Sequence, residues 1–360
     1  MMILAVGGGT LGPVTPLIAT WKAIKKQHPS AKLVWVGTPT GPEGELIKAM
    51  DVPFYVLPVA KWPRYPSLHW VTFPMNWLRA KREAGRLLDK YQPDVVMSAG
   101  GFTAVPLIEA ARARHIPCVA HQLDLVPGLS NKKIASACDS VTTSFEYERP
   151  PFGERVSDER IATPTFLRLA DLPSKQVALR SFGFHAKKPV VFVMGGGSGS
   201  LAINAMVHRE LKTWLSFTQV LHSTGIGKQE AALQDRNHEG YHAQELFSHN
   251  LEQAYAAADV IIARGGIGTL SEASALKKPL IVIPLPDSPQ EANAKAAEER
   301  SAVIVIHQNG KYFDGQVTKT LQLLLRDKDL QQSLAQQLQA FFPTDDGSAL
   351  AERVLRVVKK

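Results

Sequence analysis

Apolar residues come in short unbroken runs along this chain, separated by longer stretches of helical period. Met2-Ile-Leu-Ala-Val6 reads as a buried strand, Gly7-Gly-Gly9-Thr10-Leu11-Gly12 as a turn, and Pro16 to Lys26 as a helix. Further strands are expected at Lys32–Val36, at Asp94–Ser98 ending in Gly100-Gly101, and at Pro117–His121. Strands alternating with helix-length segments predict an α/β fold with a parallel, doubly wound sheet. The pattern then restarts. Pro189-Val-Val-Phe-Val-Met194 runs into Gly195-Gly-Gly197-Ser198-Gly199-Ser200 and a helical stretch from Leu201 to Trp214. Strands follow at Thr218–Leu221, Val260–Ala263, Leu280–Ile283 and Ala302–Ile306.

A chain of 360 residues exceeds what one core usually serves, so two Rossmann-like domains are expected. The boundary falls in the proline-containing stretch Thr163–Lys188, giving domains 1–163 and 164–346. The last helix, 347–360, is expected to cross back to the first domain.

Four glycine loops follow apolar strands: Gly7–Gly12, Gly100-Gly101, Gly195–Gly199 and Arg264-Gly-Gly266-Ile267-Gly268-Thr269. All should open at the carboxyl edges of the two sheets, where ligands of such folds bind. Gly7-x-Gly9-x-x-Gly12 satisfies the dinucleotide fingerprint, in which glycines let backbone N–H groups meet a diphosphate. The second strand, however, ends Trp35-Val-Gly37-Thr38 without the acidic residue that would hold a ribose, which argues against a nicotinamide or flavin enzyme. Gly227-Lys228 lacks the rest of a Walker sequence, so ATP hydrolysis is not expected. Asp327-Lys-Asp329 sits among helix-like charged residues and reads as a solvated face rather than a metal pair. No metal and no cofactor are expected.

The net charge of +8 favours an anionic partner without choosing one. No run approaches the ~20 apolar residues that span a bilayer, and Met1–Val6 is too short for a signal segment. Cys118 and Cys138 have no metal-ligand spacing and read as buried thiols of a reduced cytosolic protein. Between Lys61 and Arg82 lie five basic residues, no acid and three of the six tryptophans. Trp62, Arg64, Trp70, Phe73, Trp77, Arg79, Lys81 and Arg82 combine amphipathic aromatics with cations, which an anionic bilayer interface attracts. Nucleic acid is a weaker reading, because no nucleic-acid motif accompanies the basic and aromatic residues.

In order and spacing the motifs resemble the MurG family, the lipid-linked N-acetylglucosaminyl transferases of peptidoglycan synthesis. Gly8-Gly-Thr-Leu-Gly-Pro13 with Pro16 is similar to the family's GGTGGHxxP, and Gly100-Gly-Phe-Thr-Ala-Val-Pro106 to its GGYxSGP. His121-Gln-Leu-Asp-Leu-Val-Pro-Gly128 with Asn131 resembles HEQNxxPGxxN, and Gly195 to Asn204 resembles GGSQGAxxxN. Tyr255-Ala-Ala-Ala-Asp259, Arg264–Glu272 and Gln290-x-x-Asn293-Ala294 match as well.

The resemblance implies a GT-B type glycosyltransferase, two such domains facing a cleft, working at the cytoplasmic face of the cell membrane as a peripheral protein. UDP-N-acetylglucosamine would be the donor, a polyprenyl-diphosphate-linked molecule the acceptor, and 61–82 the membrane-docking region. On the donor side it implies Gly197, Ser198 and Gly199 at the diphosphate, Gly266, Ile267, Gly268, Thr269 and Glu272 around the ribose, and Arg264, Leu270 and Ser271 as further donor-binding residues. Gln290 would meet the sugar, Phe247 and Ser248 the uracil, and Arg168 stands two positions late for a family arginine. On the acceptor side it implies Gly9, Thr10, Leu11, Gly12, Gly100 and Gly101. Here the sequence departs: the loop histidine is Pro13, the family Glu and Asn are Gln122 and Asp124, and the donor-loop serine is Gly197. An inverting transfer needs a base, for which His121 and Asp124 are the candidates. A related transferase with another sugar or acceptor, or a non-catalytic nucleotide-sugar or lipid-binding relative, remains open on these departures.

Overall fold

The computed structural model describes residues 1–41, 43–59, 69–197, 199–229 and 238–359, with backbone alone for 69–73. Two compact units emerge, Met1–Phe166 with Asp345–Lys360, and Leu167–Thr344.

The first unit is a sheet of seven parallel strands: β1 (Met2–Val6), β2 (Lys32–Gly37), β3 (Phe54–Val56), β4 (Val95–Ser98), β5 (Cys118–Gln122), β6 (Ser140–Thr143) and β7 (Asp158–Arg160). Their order is β3-β2-β1-β4-β5-β6-β7. β1 pairs in register with β2 on one side and β4 on the other, so the strand order reverses at the β1/β4 seam. Near-continuous apolar runs form the central strands because helices cover both faces of a parallel sheet. Leu4, Val6, Val36, Val96 and Ala120 meet Leu88, Leu107, Ile108 and Ile134 in one buried cluster. After the short β8 (Thr163–Pro164), the Thr165 N–H donates to the Asp345 carbonyl at 2.8 Å, which brings the chain end into this unit. The final helix, Ser348–Val358, packs on the helix Thr15–Gln27 and on β4, β5 and β6. Gly347 allows that approach, since a Cβ there would lie 2.4 Å from the Ala19 carbonyl carbon and its φ is +91°.

The second unit has six parallel strands: β9 (Val190–Met194), β10 (Gln219–Ser223), β11 (Tyr241–Gln244), β12 (Val260–Ala263), β13 (Leu280–Val282) and β14 (Ile304–Val305). Their order, β11-β10-β9-β12-β13-β14, repeats the first unit's reversal, now at the β9/β12 seam. Trp214, Val193, Ile262, Ile281 and Leu321 lie in its core.

Within the two large sheets, the strands the pattern does not announce are β3, β6, β7 and β11. Three are sheet edges and β6 adjoins one, and edge strands need no continuous apolar run: β6 reads Ser-Val-Thr-Thr and β11 Tyr-His-Ala-Gln.

Candidate active site

The seams are where a doubly wound sheet offers its ligand crevice, because the loops on either side depart in opposite directions. All four glycine loops stand there. In the second unit the loop after β9 (Gly195–Ser200) and the loop after β12 (Arg264–Gly266) are tied by one side chain. Arg264 Nη2 donates to Ser200 Oγ at 2.6 Å, while Nη1 donates to the carbonyls of Ile283 and Pro284 at 3.1 Å each. Arg264 as a residue is 6% exposed and, among the described residues, has no carboxylate ion-pair partner. Burial pulls its pKa below the ordinary arginine value. An uncompensated buried cation of this kind favours an anion alongside.

The helices Leu201–Leu215 and Ile267–Ala275 start at these loops, and their N-terminal N–H groups add partial positive charge. Close approach of backbone is built in: a Cβ on Gly195 would lie 2.3 Å from Ser200 N, and one on Gly199 2.2 Å from the Thr224 carbonyl oxygen. Ser198 lies outside the described residues. Glu272, two turns into the second of these helices, accepts a hydrogen bond from the Tyr255 hydroxyl at 2.5 Å, and burial pushes its pKa up to about 7. Gln290 lies alongside, its Nε2 3.9 Å from where a Gly266 Cβ would be and its Oε1 accepting from Leu285 N at 3.1 Å. Asn293 donates to the Gly265 carbonyl at 3.3 Å and fixes the loop from below. Gly266, Glu272, Gln290 and Arg264 therefore share one loop cluster.

Phe247 is 4% exposed, with its ring against Phe192 at 5.1 Å, and Ser248 beside it is exposed. Arg168 is not with this group. It forms a two-point pair with Asp171, at 2.6 and 2.9 Å on an exposed surface.

The first unit's seam is built differently. Gly8 and Gly101 stack closely, a Gly101 Cβ lying 3.4 Å from the Gly8 carbonyl oxygen, and Gly100 and Gly101 both have φ near +100°. Glu43, which the sequence pattern does not single out, inserts a fully buried carboxylate here. Its Oε2 accepts from Gly9 N at 3.1 Å, and its Oε1 from Thr38 N at 2.7 Å and Thr38 Oγ1 at 2.5 Å. The Gly9 N–H expected to face an acceptor diphosphate is thus occupied by the protein's own anion. The signal was the tightly spaced Gly37-Thr38 and Gly41 before it. A Cβ on Gly8 or Gly41 would collide with the carboxylate at 2.1 and 1.9 Å. Thr10 is exposed at the loop tip, with Leu11 and Gly12 half-buried beside it.

His121 is corrected as a base. It is 0% exposed, Nδ1 bonds Thr142 Oγ1 at 2.9 Å, Nε2 bonds Ser144 Oγ at 3.1 Å, and burial lowers its pKa to about 3. A sealed imidazole with both nitrogens engaged stitches β5 to β6. Asp124 keeps a half-buried place just beyond β5. Its carbonyl accepts from Gln122 Nε2 at 2.6 Å and Tyr147 Oη at 3.2 Å, which anchors its backbone.

In the basic aromatic segment, Trp62 and Arg64 lie outside the described residues, as do the side chains of Trp70 and Phe73. Trp77 is half-buried, packed against the first unit's core. Lys81 pairs with Glu109 at 3.3 Å. Met75 (71% exposed), Leu78 (49%), Arg79 and Arg82 turn outward, with Pro74.

Two family models cover most of the chain: the glycosyltransferase family 28 N-terminal domain over residues 3–143 and the family 28 C-terminal domain over residues 190–345. A Lachnoclostridium phytofermentans protein named UDP-N-acetylglucosamine–N-acetylmuramyl-(pentapeptide) pyrophosphoryl-undecaprenol N-acetylglucosamine transferase is 34% identical over 284 residues, 79% of this chain and 78% of its own. A Paenarthrobacter aurescens protein of the same name is 32% identical over 366 residues, 99% of this chain and 96% of its own. The crystal structure of Acinetobacter baumannii MurG superposes with a TM-score of 0.72 at 23% identity, covering 99% of both chains, which shows the shared fold. With its two reversed-seam sheets, its glycine loops and these relatives, the chain belongs to glycosyltransferase family 28 and, within it, to the MurG family.

Proposed function

We propose that this protein is an inverting glycosyltransferase that moves N-acetylglucosamine from UDP-N-acetylglucosamine to a polyprenyl-diphosphate-linked acceptor, as the names of its relatives state for them. The observation that carries the reading is the loop cluster at the β9/β12 seam, which puts a buried cation, two helix N-termini, Glu272 and Gln290 together. Each part of the donor has a chemical counterpart there. A carboxylate can accept both hydroxyls of a ribose, so Glu272 would hold that ring. Arg264 and the helix N-termini would face the diphosphate, and Gln290 the sugar. Backbone groups at Phe247 and Ser248 would meet the uracil.

Transfer then needs three things of the protein. The acceptor hydroxyl must lie in line with the anomeric carbon, a base must take its proton as the new C–O bond forms, and the leaving UDP must be stabilised. Asp124 is the base in this reading, since it is the partly exposed carboxylate at the end of β5 whereas His121 is sealed. Charge on the departing diphosphate is met by fixed donors that need no reorganisation. No described helix is long and apolar enough to cross a membrane. Met75, Leu78, Arg79 and Arg82 support peripheral docking at an anionic membrane surface, which for this reaction would be the cytoplasmic face. Cosedimentation with anionic vesicles, lost in Leu78→Glu/Arg82→Glu, checks the docking.

The deciding experiment is calorimetric titration of UDP and UDP-N-acetylglucosamine into wild type and Glu272→Ala. Saturable binding to wild type, weakened about 30-fold or more in the variant, is the expected result. A folded protein that binds neither ligand would overturn the donor assignment.

A further inference from the structure

Tyr255 lies in the helix Leu251–Ala257 and is fully buried, its ring edge-on to Phe192 of β9 at 5.5 Å and 87°. A phenol sealed among apolar groups requires an acceptor for its proton, and the cost of leaving it unpaired fixes its partner. That partner is Glu272 Oε2, at 2.5 Å, with Met194 Sδ at 3.9 Å the further contact. Among the described residues no hydrogen bond reaches Glu272 Oε1, and no cation forms an ion pair with the carboxylate. One oxygen is thus occupied from the protein interior while the group stays on the first two turns of the helix that opens at the glycine loop.

We infer that Tyr255 is a positioning residue for the donor: by holding Glu272 through Oε2 it fixes the plane of the carboxylate and leaves the remaining acceptor capacity to a vicinal diol. This rests on the reading of Glu272 as the ribose ligand and adds the residue that orients it. A glutamate side chain has three rotatable bonds, and binding two hydroxyls at once demands one orientation of its final carboxylate plane. The ring of Tyr255 cannot turn away, because Phe192 and the buried surroundings lock it. The same hydrogen bond favours the ionised carboxylate against the burial that opposes it.

Tyr255→Phe removes one oxygen and keeps the packed ring, so its melting temperature should stay within a few degrees of wild type. Calorimetry with UDP and with 2′,3′-dideoxyuridine diphosphate, which lacks the ribose diol, separates positioning from packing. UDP affinity is expected to fall about tenfold in Tyr255→Phe, and that of the dideoxy analogue to stay within about twofold. Unchanged UDP affinity, or an equal loss for both ligands, overturns the inference while leaving the donor reading intact. If wild type binds the two ligands equally, Glu272 does not hold the ribose and the inference falls with that assignment. If wild type binds no UDP, the donor reading itself has failed.

Discussion

Two crevices built on the same strand order are braced by side chains of opposite charge. At the β9/β12 seam the side chain that ties the glycine loops together is Arg264, held by two carbonyls and a hydroxyl and without an ion-pair partner among the described residues, while Glu272 lies further along the second helix. At the β1/β4 seam it is Glu43, held by two backbone N–H groups and a hydroxyl, with no ion-pair partner among the described residues. The first arrangement has positive charge to offer a ligand. The second has already spent its backbone donors on an internal anion. Glycine loops and topology alone therefore say that something binds, whereas the buried charge decides what kind.

The largest effect expected from this contrast concerns chemistry on the first unit. Asp124→Asn should reduce turnover by about 10²-fold or more while leaving UDP affinity unchanged, as steady-state kinetics beside calorimetry would register. Undiminished turnover would strip the first unit of its base. Arg264→Met should come next, weakening UDP by about tenfold or more but uridine by little, because a charged hydrogen-bonding site is worth about 1.5–3 kcal/mol. Equal losses for UDP and uridine would mean that Arg264 only braces its loops.

Glu43→Ala tests the other crevice. Removing the carboxylate strands two N–H groups and a hydroxyl, so a destabilisation of about 3 kcal/mol is expected, read as a melting point lower by several degrees with UDP affinity within about twofold. A loss of UDP affinity would show that Glu43 does more than brace its own loops. The smallest effect is on pH. Burial raises the Glu272 pKa to about 7, so this group stabilises the fold below its unfolded value near 4.5, and that contribution is lost as pH rises through 7. Donor binding needs the ionised form and runs the other way. UDP affinity should fall towards tenfold per unit as pH drops below 7, and Glu272→Gln should flatten the profile.

Much of the second unit could be read directly, because its strands and loops obey local rules. Continuous apolar runs such as Val-Val-Phe-Val-Met ending in glycines specify buried parallel strands and tight turns, and Gln290 and Glu272 lie at short, ordered distances from them. Readings of single side chains fared less well. His121 looks like a base in sequence and is a sealed strut; Trp77 looks like a membrane anchor and is half-buried against the core; Arg168 looks like a ligand and pairs with Asp171. Each of these depends on which way a side chain points and on who meets it.

By itself the sequence determined the parallel strands, the glycine turns and the order of the motifs, since backbone conformation and apolar periodicity are local properties. Only the tertiary structure decided which polar groups are sealed and which partners they have. Glu43 reaches Gly9 across thirty-four positions and Arg264 reaches Ser200 across sixty-four. The protonation and orientation of Glu272 likewise depend on burial and on Tyr255 from another helix. Electrostatic free energy is set by distance and desolvation in space, and neither is a property of spacing along the chain.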